Sequence, residues 1–106
     1  MNVKDPSTQL SDIENRIKAC RQCGLHNNRT FGVAGEGPVN ADIVVIGEAP
    51  GDQENRTGKP FIGYSGQLLT QLLQNAGYSR ADTYITNMVK CWVGEGNPDP
   101  KQTEID

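Results

Sequence analysis

Two thiols spaced as Cys20-x-x-Cys23 stand at chelating distance, and a third, Cys91, follows a stretch that can run back towards them. Soft thiolates suit an iron-sulfur cluster or zinc, and three of them want a fourth ligand. The bland alternative is one buried cysteine beside a redox-inert pair, and an odd count cannot pair entirely within the chain. A second group gathers at Gly47-Glu-Ala-Pro-Gly51, whose glycines let backbone amides approach a small ligand, although short glycine segments also serve as ordinary turns. Asn87 adds an amide with both a donor and an acceptor. His26 is the only histidine; it lies in a polar loop and reads as a surface residue.

Few regular elements are available to position these groups. Leu10, Ile13, Ile17 and Cys20 recur every three or four residues, which predicts an amphipathic helix over about residues 8 to 20, with Ser11 and Glu14 arranged as a capping box. Gly24, Gly32, Gly35, Gly37 and Pro38 break the next segment into loop, with a short strand near Phe31. Ala41-Asp-Ile-Val-Val-Ile46 is an apolar, β-branched run that reads as a strand buried on both faces. Leu68, Leu69, Leu72, Leu73 and Ala76 form one apolar helical face, with Ser65 as N-cap and Gly77 just past the end. Thr83 to Val89 predicts a second strand, and a further helix begins at Gln102 to Ile105. Helix, strand, helix, strand is the signature of a parallel α/β layer. In such sheets the ligand site lies beyond the carboxyl ends of the strands, so Gly47 to Gly51 and Asn87 are expected to face one crevice.

A chain of 106 residues holds one domain or a piece of one, and 35% hydrophobic residues with 12 glycines and 6 prolines imply a small core between shaped loops. The net charge of −3 offers no basic footprint for nucleic acid. No apolar stretch approaches the roughly 18 residues of a membrane span, and residues 1 to 9 lack the pattern of a signal peptide, so a soluble, cytoplasmic protein is expected with no membrane partner.

In combination, Cys20-x-x-Cys23 with Leu25, Gly47-Glu-Ala-Pro-Gly51, Gly58-Lys-Pro-Phe-Ile-Gly63 with Gly66 and Leu68-Leu69, and Thr86-Asn-Met-Val-Lys-Cys91 resemble, in order, the family 4 uracil-DNA glycosylases. The resemblance spans about residues 16 to 105 and implies a three-layer α/β/α fold with a parallel sheet, of which residues 1 to 106 would be the amino-terminal portion and the carboxyl-terminal part would be missing. It implies cleavage of the N-glycosidic bond of uracil in DNA, in base excision repair, and a four-cysteine 4Fe-4S cluster, with zinc as the alternative metal. By the same resemblance Gly47, Glu48 and Ala49 meet uracil and the attacking water, and Glu54 stands at the edge of the pocket. Phe61 stacks on the extruded base, and Asn87 pairs with its Watson-Crick edge and favours uracil over cytosine. Glu48 would be the catalytic residue, orienting water or steadying the cationic sugar. Each has a plain structural alternative: a packed phenylalanine, a strand-end asparagine, an exposed turn carboxylate.

Cys20, Cys23 and Cys91 would be three of the cluster legs. The chain departs from the family at several points. The fourth cluster cysteine and the later His-Pro-Ser motif have no counterpart here, and Trp92 stands where arginine is more frequent. The expectation is therefore a truncated and inactive glycosylase fragment. The other readings are a non-catalytic uracil- or cluster-binding module completed by another chain, a domain like that at the front of some phage DNA polymerases, and a small zinc or redox protein.

Overall fold

The computed structural model describes residues 5–27, 29–94 and 100–105. Helix α1, Pro6–Lys18, starts on Asp5, whose carboxylate accepts hydrogen bonds from the Ser7 hydroxyl (2.6 Å), the Thr8 amide (3.1 Å) and the Thr8 hydroxyl (3.1 Å). These bonds, the one from Ser7 foremost, hold the Asp5 carboxyl down to about 2. Pro6 occupies the first helical position, where no amide is needed. The helix thus begins earlier than its apolar period suggests: Ser11 lies inside it rather than capping it, and Cys20 lies beyond the C-cap Ala19.

Strand β1, Ile43–Gly47, pairs in parallel with β2, Thr83–Asn87, in a register that sets Gly47 opposite Asn87. The ladder runs on past the strand ends, with the Met88 amide donating to Gly47 O (2.8 Å) and the Val89 amide to Glu48 O (2.9 Å). On the other edge of β2, Glu36 exchanges both backbone hydrogen bonds with Ile85, and the Val33 amide donates to Lys90 O (2.7 Å). β2 is therefore the middle of the layer, and its Thr83, Ile85 and Asn87 are buried. The short strand expected near Phe31 is instead this bridge at Glu36, because the glycines on either side permit only local pairing.

The parallel α/β arrangement expected from the sequence is present, as a two-stranded sheet among the described residues. β1 is not buried on both faces: Val44 is 55% exposed and Ile46 67%, since no described element covers that side. Helix α2, Asp52–Thr57, was not foreseen. Helix α3, Tyr64–Asn75, is capped at Gly63, placing Ser65 in its first turn, and it closes at Gly77, whose φ of +88° suits glycine. Leu73 is buried, while Leu68 and Leu72 stay largely exposed. A short helix α4, Gln102–Ile105, follows, and Ile105 packs near Cys91.

α1 is tied to the sheet by the Tyr84 hydroxyl, which donates to Glu14 Oε2 at 3.1 Å. Burial and then the Glu14 charge push the Tyr84 phenol up to about 12. A raised phenol favours the folded state fully below its ordinary 10.0, and that contribution is lost as pH climbs through about 12. Tyr84→Phe is expected to lower stability by about 1 kcal/mol, the net worth of one hydrogen bond. It should also flatten the alkaline limb of the stability profile; an unchanged limb in denaturant melts would count against the Tyr84 assignment.

Candidate functional site

The carboxyl ends of β1 and β2 open on one cavity of about 460 Å³, within the range of small-molecule sites. Glu48, Ala49, Glu54, Phe61 and Asn87 line it. Gly47 lies against the Phe61 ring and the Asn87 side chain: a Cβ there would collide with the ring and with Asn87 Oδ1. Every pocket residue singled out in the sequence is thus brought to one place. Asn87 is only 3% exposed, and it lines the cavity. An amide on a cavity wall brings both a donor and an acceptor within reach of a ligand. The Asn87 carbonyl is gripped by the Lys90 ammonium, which also donates to Thr86 Oγ1 (2.9 Å); burial pushes the Lys90 amine down.

Glu48 is exposed at the mouth. Glu54, by contrast, spends its carboxylate on backbone: Oε1 accepts from the Gly51 amide (2.9 Å), and Oε2 from the amides of Ile62 (3.0 Å) and Gly63 (2.6 Å). The capping pair with Gly51 starts α2, and the other two bonds carry the Pro60 to Gly63 segment to the cavity wall. Arg80, in the turn leading into β2, holds the same segment, and nothing in its sequence position marked it.

Cys91 is buried with Leu25 and Val89, and Cys23, Ala49 and Val93 pack on that cluster. Ala49 and Val93 also line the cavity, so the thiol edge stands directly behind it. Burial pushes the Cys91 thiol up; the Arg29 guanidinium, donating to its Sγ at 3.0 Å, pulls it down, and Cys23 and Cys20 lie near enough to raise it again. All three thiols are free. They share this neighbourhood without closing into a three-ligand metal group among the described residues. Their chemistry and common edge fit a thiolate-bound metal. His26 is half-buried rather than a free surface residue, with Nδ1 donating to the Cys23 carbonyl at 2.6 Å and closing the turn after the cysteine pair. Trp92 is also half-buried. No helix among the described residues is long and apolar enough to cross a membrane.

The sequence profile of the uracil DNA glycosylase superfamily matches residues 34–106. The chain belongs to that superfamily. Among curated relatives, the type-4 uracil-DNA glycosylase of Thermotoga maritima is 51% identical over 79 residues, covering 74% of this chain and 41% of that protein. That of Archaeoglobus fulgidus is 45% identical over 97 residues, covering 92% of this chain and 48% of the relative. That of Pyrobaculum aerophilum is 41% identical over 97 residues, covering 92% and 49%. The chain spans about half the length of these relatives, or less, and corresponds to the amino-terminal half of a type-4 uracil-DNA glycosylase. As in the superfamily, the fold is α/β with a parallel sheet, here in part.

Proposed function

We propose that this chain is the uracil-recognising half of a glycosylase that hydrolyses the N-glycosidic bond of uracil in DNA. The observation that carries the reading is the convergence of Gly47, Glu48, Phe61 and Asn87 on one cavity at the strand ends. A base turned out of the stack would lie on the Phe61 ring, as extruded bases commonly rest on aromatic side chains. The Asn87 amide offers one donor and one acceptor to its Watson-Crick edge, which matches uracil and mismatches cytosine. Glu48 at the mouth orients water towards the sugar or steadies the positive charge that builds there as the bond to the base breaks. The chain's negative charge leaves contacts to the DNA phosphates to the other half, whether carried by the same polypeptide or by a completing chain. Without that half, the 106 residues bind the base but do not excise it. Cytoplasmic location follows from the same repair role.

Cys20, Cys23 and Cys91 are the residues that would hold a 4Fe-4S cluster, with a fourth ligand from outside these residues; zinc is the alternative. When bound, the metal centre neutralises thiolates that are otherwise costly to gather. The chain's own residues couple it to the cavity through Ala49 and Val93.

Titration of the labelled chain with free uracil should shift the Asn87 side-chain amide and the Phe61 ring, and cytosine should not. Asn87→Asp replaces donor and acceptor by acceptors alone and is expected to lose roughly 10- to 100-fold in uracil affinity, the worth of one buried hydrogen bond left unmade. The shift of preference should be towards cytosine, whose amino group can donate. Uracil binding that ignores this substitution would reject the pocket.

A further inference from the structure

Phe61 is the only described non-glycine residue with a positive φ, +52°. A bulky side chain rarely adopts that backbone, and persists there only when its surroundings fix it. The surroundings are two opposite charges. The Arg80 guanidinium donates from Nη2 to the Pro60 carbonyl (2.8 Å) and from Nη1 to the Phe61 carbonyl (2.6 Å). The Glu54 carboxylate takes the amides of Ile62 and Gly63, two successive N–H groups converging on one anionic oxygen. The peptide unit joining Phe61 to Ile62 is therefore held at both ends, its carbonyl by the cation and its amide by the anion. That fixes the rotation of the plane from which the Phe61 ring departs.

We propose that Arg80 is a positioning residue for the base pocket: with Glu54 it locks the left-handed backbone at Phe61 and so sets the ring against Gly47 and beside Asn87. The proposal rests on the uracil-binding reading of the cavity. Arg80 also donates to the Gly66 carbonyl (3.2 Å) and Thr70 Oγ1 (3.1 Å), so one planar fork ties the Phe61 segment to the first turns of α3. α3 approaches so closely that a Cβ on Gly66 would collide with the Phe61 carbonyl. Three of these acceptors share the two hydrogens of Nη1 and the Pro60 carbonyl takes Nη2; the single nitrogen of lysine can serve the first site and not the second at once. Arg80 opens the turn Arg80–Asp82 that runs straight into β2, the strand that ends on Asn87. The anchor of the aromatic ring and the base-reading amide thus belong to one continuous segment, and their separation is set by strand geometry.

The test pairs amide hydrogen exchange with uracil titration in the full chain, for wild type, Arg80→Ala and Arg80→Lys. Arg80→Ala should accelerate exchange at Ile62 and Gly63 while Met88 and Val89, on the strand ladder, keep their protection. Uracil affinity should fall about tenfold as the competent arrangement becomes a minor one. Arg80→Lys should recover only part of either effect, and added guanidinium should restore the alanine variant. Protection at Ile62 and Gly63 that survives Arg80→Ala overturns the proposal, as does a parallel loss at Met88 and Val89, the mark of general destabilisation. If Arg80→Ala does not fold, Arg80→Lys with the same two readouts decides by the same criteria. Selective exchange changes in a chain whose wild type binds no uracil would uphold the lock on Phe61 and sink the uracil reading; intact uracil binding with unchanged exchange would do the reverse.

Discussion

Gly47→Ala should abolish measurable uracil binding while the two strands stay paired. The position is opposite Asn87 in the parallel register, and the added methyl would enter the volume shared by the Phe61 ring and Asn87 Oδ1. Neither neighbour can yield easily. Phe61 is fixed through its backbone by Arg80 and Glu54, and Asn87 sits at the buried end of β2 with its carbonyl held by Lys90. Overpacking of this kind costs about 1–3 kcal/mol where the structure must shift. The shift most available is an outward turn of the ring, which opens the stacking surface and closes the floor. Denaturant melts and uracil titration measure the two parts separately, and a Gly47→Ala chain that binds uracil as wild type does would show that ring and amide do not share one ligand.

Anaerobic reconstitution with iron and sulfide should colour the wild-type chain, and Cys91→Ser should leave it close to colourless. Cys91 is the buried member of the three thiols: burial pushes its thiol up, the Arg29 guanidinium donating to its Sγ offsets part of that rise, and Cys23 and Cys20 lie close enough to be felt. Serine keeps the size and loses the soft ligand. If Cys20, Cys23 and Cys91 are three legs of a cluster, one iron would need its last ligand from outside them, and the colour should fade in air faster than in a four-cysteine protein. Iron and sulfide analysis with a visible spectrum checks this. A colourless wild type that binds one zinc, with the same affinity after Cys91→Ser, would remove both the cluster and the third leg.

Much of this arrangement was legible in the residues because burial and period speak plainly. The β-branched run at 43–46 and the leucine pairs of α3 marked a strand and a helix, and strand ends followed by glycine or asparagine marked the crevice. α2 was hidden because Asp52-Gln-Glu-Asn-Arg-Thr57 has no apolar face; it forms on its capping pair with Gly51 and on buried Asn55, which bonds Thr30. The start of α1 was misplaced because a capping aspartate before proline carries no apolar period. The exposure of Ile46 was illegible in kind, since apolar sequence says what a strand prefers and not which faces are covered. Glu54 was expected only as an acidic residue at the pocket's edge, and Arg80 was not expected at all: both act on backbone groups, and backbone carbonyls and amides carry no letter in a sequence.

The placement of β2 has a consequence for which changes of length the gene could accept. From the turn Arg80–Asp82, through β2 and past its end, the chain carries Arg80, the Asn87 amide and the buried Cys91 thiol in turn. Because neighbouring residues on a strand face opposite ways, inserting or deleting a single codon within β2 would shift the register between Arg80 and Asn87, so that the arginine and the amide could not both keep their places. The same change at Val39–Asn40, the exposed turn between the Glu36 bridge and β1, would fall on a surface turn. Library variants with single-codon insertions should therefore be purged from β2 and retained in that turn.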